Sequence, residues 1–239
     1  MALALKDACA RARALDLANV PVPAFDPGNP KKNITAFSLF GTSKRYCAGA
    51  VRNVQAARFI YPGWTCRFYV DDSVSQDIRG QLRREGAEVK LVGGLPCGRY
   101  GTFWRFLVAD DPSVDRFLIR DCDSVVNVRE RVAVDEWVDA RLHFHVMRDS
   151  YAHSELVLAG LWGGVRAALP PMTKAIVAYA ERFVSHRTLD QCFLREEMWP
   201  TIRQSVLAHD SQFAFGNRRD FPAVGRMPPG HHVGQIEFA

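Results

Sequence analysis

From Ile34 onward the apolar positions change period in a regular way. ITAFSLF (34–40) is an apolar run of strand length, and between Arg45 and Ile60 the positions Cys47, Ala50, Val51, Val54 and Ala57 share one helical face. TCRFYV (65–70) predicts a strand, VSQDIRGQLRREG (74–86) a helix closed by Gly86, and AEVKLV (87–92) another strand. A glycine-rich stretch, LVGGLPCGRYG, leads into FWRFLVAD (103–110), a short helix, and DRFLIR (115–120), a strand.

The second half is less regular. NVRERVAVDEWVDA (127–140) predicts an amphipathic helix with Val132, Val134, Trp137 and Val138 inward. LHFHVM (142–147) and LVLAGLWGG (156–164) predict strands, the second with the small residues of a tight turn. MTKAIVAYAERFV (172–184) and TLDQCFLREEMWPTI (188–202) predict helices, and SVLAH (205–209) a last strand. Residues 3–18 have helical composition, whereas PVPAFDPGNPKKN carries four prolines and no periodicity. The division expected is therefore an N-terminal helix and proline-rich tether over 1–32, then one domain over 33–239 whose end, from about 212, wraps or lids it.

Strands alternating with helices predict an α/β protein with a mixed, mainly parallel sheet flanked by helices on both faces. Ligands gather at the carboxyl ends of such strands. Both YVDD (69–72) and IRDCD (119–123) place acids there.

Composition narrows the class. The chain of 239 residues is 48% hydrophobic and 24% charged, enough for a sizeable core, and its apolar runs fall short of a bilayer span. Six scattered cysteines without a CxxC pair suggest reduced thiols in a reducing compartment, the cytoplasm, and argue against a cysteine-rich zinc site. The net charge of +5 favours anionic ligands: nucleotides, phosphates, a nucleic acid or an acidic membrane face.

Asp121 and Asp123, at i and i+2 as the chain leaves a strand, can turn toward one cation, and hard oxygen ligands suit Mg2+ or Mn2+. Such an ion bridges a diphosphate and neutralises a departing nucleotide. Cys122 between them is expected to point inward as a small filler.

A nucleotide-binding βαβαβ half is followed by xWRF, hhhRDCDS, AGLWGG, DQCFL and a late HD, and this order resembles the GT-A (Rossmann-like) glycosyltransferases, especially the family 8 type. The resemblance covers roughly residues 33 to 211 and implies a metal-dependent transfer of a sugar from a nucleotide-diphosphate donor, a UDP-sugar foremost, to a hydroxyl. The implied acceptor is a glycan, a lipid-linked glycan or another hydroxyl, with a nucleic acid less favoured. Asp121 and Asp123 match the metal-binding pair, Asp121 also facing the donor, and His209 matches a late histidine that completes the metal site. Arg105 matches an arginine that pairs with the donor or the acidic cluster, and Ser38, Phe40, Gly41 and Thr42 sit where the first strand meets the nucleoside. Asp190 and Gln191 match the DQ pair near the anomeric carbon, which favours retention.

The sequence departs from the pattern after His209, where a phosphate-gripping lysine is missing and Arg218 or Arg219 is the substitute. HFHVMRDSYAH (143–153) has no counterpart, and its His145, Arg148, Asp149 and His153 are candidates for the acceptor site or an acid/base pair, Asp149 among the catalytic carboxylates. Local alternatives stay open: Asp190 as a helix N-cap, Trp162 as core. Two other functions also stay open. One is a haloacid-dehalogenase-type phosphatase with Asp121 as nucleophile and Asp123 as acid. The other is a non-catalytic GT-A-like module of a larger assembly.

Overall fold

The computed structural model describes residues 14–213, 218–225 and 227–236. Eight strands form one sheet in the order β3-β2-β1-β4-β6-β5-β7-β8. They are β1 (Asn33–Leu39), β2 (Thr65–Val70), β3 (Glu88–Leu91), β4 (Arg116–Arg120), β5 (Phe144–Arg148), β6 (Leu161–Val165), β7 (Val206–Asp210) and β8 (Arg218–Arg219). Every pairing is parallel except those of β6, which runs antiparallel between β4 and β5. The expected mixed, mainly parallel sheet flanked by helices is what forms.

Period-two alternation sends side chains to two cores. Ile34, Ala36, Phe117, Ile119 and Trp162 pack on one face; Phe37, Leu39, Phe68 and Leu118 pack on the other. The second face is covered by α1 (Lys44–Ile60), α2 (Gln76–Arg84) and, beyond the four-residue α3 (Cys97–Tyr100), α4 (Val128–Ala140). Gly86 ends α2's last turn at φ +93°, a conformation open to glycine at no steric cost. The first face is covered by a 3-10 segment (Gly101–Asp110), α5 (Met172–Ala180) and a composite helix. That helix is α6 (Leu189–Phe193), a π-turn (Leu194–Met198) and α7 (Trp199–Ile202), where periodicity predicts one continuous helix.

Trp162 is fully buried, with Phe117 edge-on at 5.2 Å and Phe106 at 5.6 Å, and so belongs to the core. In α4 the inward face carries Glu130 where Val132 is expected. Glu130 is buried and accepts hydrogen bonds from Tyr61 (2.8 Å) and Arg120 (3.2 Å), a polar knot that hydrophobic patterning cannot reveal. The expected N-terminal helix falls mostly outside the described residues, and 14–17 are irregular. Among the described residues the cysteines are free thiols, and no helix is long and apolar enough to cross a membrane.

Candidate functional site

A cavity of about 740 Å³ opens at the carboxyl ends of β1 and β4. One wall is Ser38 to Ser43 with Tyr46, where β1 passes into α1; the floor is Asp121 to Asp123. The opposite walls come from Thr102 and Arg105 of the 3-10 segment, from Arg187, Thr188, Asp190 and Gln191 around the start of α6, and from the loop before β6. His153, Gly234 and Ile236 close the remaining side. Ser38, Phe40, Gly41, Thr42, Arg105, Asp121, Asp123, Asp190 and Gln191, all expected from the one resemblance, surround one space.

Alternation continues past the end of β4 and aims the acidic pair. Cys122 turns into the second core, where its thiol donates to the Ser38 carbonyl (3.2 Å) and burial pushes its pKa well up. Asp121 and Asp123 therefore face away from that core and into the cavity. Asn53 of α1, fully buried, staples the following turn: its amide donates to the Ser124 carbonyl (3.0 Å) and accepts from the Val126 N–H (3.1 Å).

Antiparallel β6 supplies the matching surface. Arg120 pairs with Leu161, so the residue before Leu161 lies opposite the residue after Arg120. That residue is Gly160, and a Cβ there would stand 1.8 Å from Asp121 Oδ2. Only a bare α-carbon leaves room for the carboxylate.

Arg105 is the hub. Its backbone N–H donates to Ser38 Oγ (2.9 Å), and its guanidinium bridges Asp121 and, at 3.0 Å, Asp190. Burial opposes the guanidinium charge, but the two carboxylates hold its pKa above the ordinary value. Asp190 is buried too, and burial raises its pKa despite Arg105. It is not an N-cap: that place is Thr188's, and Asp190 lies in the first turn with Oδ1 on the Gln191 N–H (3.0 Å). Asp123 pairs with Arg45, a residue whose role nothing in the sequence pattern signals. YVDD plays a lesser part: Asp71 accepts from Ser73, whose hydroxyl accepts the Gly41 N–H (2.6 Å) and so braces the cavity wall.

Six expected residues lie elsewhere: His145, Arg148, Asp149, His209, Arg218 and Arg219 do not line the cavity. His209 does not line the cavity: Ala208 faces the first core, so its neighbour turns under α4, three strands and roughly 14 Å from β4. There it meets Glu136 (3.1 Å) and His145 (2.8 Å), and burial lowers its pKa. Asp149 is also outside the cavity, with both oxygens on Arg129 (2.8 and 2.9 Å) and further bonds from Ser211 and the Val233 N–H. That saturated carboxylate anchors the C-terminal segment and is not free to take a proton. Arg218 and Arg219 form the far edge strand, where they pair with Asp220 and Glu136. Arg187, which the motif order does not single out, lies in the cavity wall.

His153 is the member of the 143–153 segment that reaches the cavity. Its Nδ1 accepts the Asp149 N–H (3.0 Å), which leaves the proton on Nε2. Burial and the His232 ring edge-on at 4.9 Å lower its pKa to about 4. It is a neutral donor at physiological pH.

The acidic pair fits a hard divalent ion. Arg105 and Arg45 each take one oxygen, and the second oxygen of each carboxylate accepts no hydrogen bond among the described residues. No cluster of three or more histidine, cysteine or acidic residues stands ready as a full coordination shell among the described residues. Two carboxylate oxygens completed by substrate phosphates and water are a common way to hold Mg2+.

Neither a protein-family model nor a curated protein matches the chain. Among solved structures it is similar to a glycosyltransferase involved in glycosylation of the major capsid of PBCV-1, at 17% identity and TM-score 0.48, covering 74% of this chain and 80% of that one. It is also similar to 4-diphosphocytidyl-2C-methyl-D-erythritol synthase from Anaerococcus prevotii DSM 20548, at 13% identity and TM-score 0.44, covering 77% and 88%. These are partial overlaps of backbone, and the chemistry has to be read from the residues.

Proposed function

We propose that the cavity binds a nucleotide-diphosphate sugar, a UDP-sugar foremost, and that the chain transfers the sugar to a hydroxyl acceptor as a metal-dependent glycosyltransferase. The observation that carries this reading is the acidic pair at the end of β4, facing a cavity whose other wall is the β1 turn and the start of α1. Ser38, Phe40, Gly41 and Thr42 would form the wall that meets the nucleoside. The N-terminus of the 17-residue α1 offers unpaired N–H groups and a positive dipole end to the phosphates. Arg187, exposed in the cavity wall, adds a guanidinium fork for the same group.

Asp121 and Asp123 would hold Mg2+ or Mn2+, which supplies positive charge to the departing nucleotide. Arg105 fixes Asp121 and Asp190 at one spacing, so the donor meets a preorganised polar wall. Both oxygens of Asp190 are engaged, so its role is to orient, while the Gln191 amide beside it is free to touch the sugar. An Asp190 that does not attack favours retention by an ion-pair route over a covalent intermediate. His153 Nε2–H is a donor for a sugar or acceptor oxygen.

The phosphatase alternative has less support. Asp121 follows the fourth strand of the chain, not the first, and no lysine lines the cavity among the described residues. The test is calorimetry with Mn2+ and a panel of UDP-, GDP- and dTDP-sugars. One of them is expected to bind, and Asp123→Ala to cut turnover at least about a hundredfold. Silence across the panel, or full turnover by Asp123→Ala, would sink the proposal.

A further inference from the structure

Both carboxylates of the acidic pair carry an arginine, but the two arginines are built differently. Arg105 is 5% exposed, tied by its backbone to Ser38 and by its guanidinium to two acids. Arg45 stands in the first turn of α1 with its side chain 31% exposed and one ion pair, to Asp123. Its Nε is buried without a hydrogen-bond partner, and the Tyr46 ring lies 5.3 Å from the guanidinium carbon. Arg45 is therefore under-satisfied where it is. A diphosphate offers it more acceptors than one carboxylate oxygen can, in the fork geometry guanidinium prefers.

The position of Arg45 makes the exchange short. It lies in the chain between Ser43 and Tyr46 and is paired with Asp123, all three of which line the cavity, at the helix end suited to phosphate. While it holds Asp123, a divalent ion at the acidic pair faces an adjacent positive charge and loses one ligand oxygen. Resting on the donor reading above, we propose that Arg45 and the divalent ion compete for Asp123, and that the donor's diphosphate decides the competition by drawing Arg45 onto itself. Arg45 thus acts as a counterion to the protein and then to the substrate. Metal and nucleotide bind as a coupled pair, each raising the affinity of the other by the same factor.

The experiment follows Mn2+ uptake by electron paramagnetic resonance of the free ion, on the full chain, alone and with saturating UDP, GDP or dTDP. Wild type is expected to take up Mn2+ at least about tenfold more tightly with its nucleotide than without. Arg45→Gln should bind Mn2+ alone about tenfold more tightly than wild type, lose most of the nucleotide dependence, and bind nucleotide without metal about tenfold more weakly. Arg45→Lys, which keeps the charge but not the fork, should fall between them, and Asp123→Asn should remove Mn2+ uptake. If both Arg45 variants bind Mn2+ as wild type does while Asp123→Asn does not, the competition is refuted and the metal site stands. If wild type takes up no Mn2+ under any condition, the metal site fails and the competition with it.

Discussion

At the scale of single residues, the cavity depends on what is missing as much as on what is present. Gly160 has no positive φ to justify it; its reason is the Asp121 carboxylate pressed against its α-carbon. Gly160→Ala should leave the melting temperature within a few degrees yet cut turnover at least about tenfold, because a 1 Å shift in a reacting constellation is enough for that. A circular-dichroism melt and a kcat measurement decide it, and a fully active alanine variant would show that Asp121 has freedom to move. No sequence signal separates Gly160 from Gly163 or Gly164, since the contact crosses from one strand end to another. The same holds for Arg105 and Asp190, which meet across 85 residues of chain. The acids and the arginine were legible as types in an order; their partners were not.

At the scale of elements, periodicity located the strands well because burial on both faces leaves apolar runs that nothing else produces. It fared worse where the backbone departs from α geometry. FWRFLVAD is a 3-10 segment, and the helix after Thr188 changes through a π-turn. His209 was misplaced for a related reason: motif order gives neighbourhood along the chain, whereas alternation decides which face a side chain meets. Asp149 was picked out by polarity alone, which does not show that Arg129, Ser211 and the Val233 N–H already occupy it. Asn53 is the residue that couples elements most directly, from α1 to the turn carrying Asp123. Asn53→Ala leaves the buried Val126 N–H and Ser124 carbonyl without partners and should cost about 2–3 kcal/mol by urea denaturation. Asn53→Asp should cost at least as much, because a carboxylate can accept from Val126 but repels the Ser124 carbonyl.

At the scale of the molecule, the buried imidazoles set an acid limit. Burial lowers the pKa of His145 well below 6.5, helped by His209 and Arg120, and burial lowers His209 and brings His153 to about 4. Their folded values lie below the unfolded one, so the unfolded chain takes up protons first. Stability is complete above the ordinary imidazole range and is lost as pH falls from 6.5 toward 4. His153→Gln should flatten that loss by about 2 kcal/mol, after allowance for partial solvent contact. An unchanged slope in denaturation curves at pH 7, 6, 5 and 4 would refute the assignment.

The two arginines of β8, expected at the phosphates, sit on the last strand of an eight-stranded sheet. A sheet edge is a row of unpaired amides and carbonyls on which a second molecule can add a strand, and short charged edges discourage this. The opposite edge, β3, is likewise only four residues long and presents Lys90 to solvent. Arg218→Thr combined with Arg219→Val should leave nucleotide binding intact and make the protein self-associate with rising concentration, as light scattering would report. The charge that failed to find a substrate would then be what keeps neighbouring molecules apart.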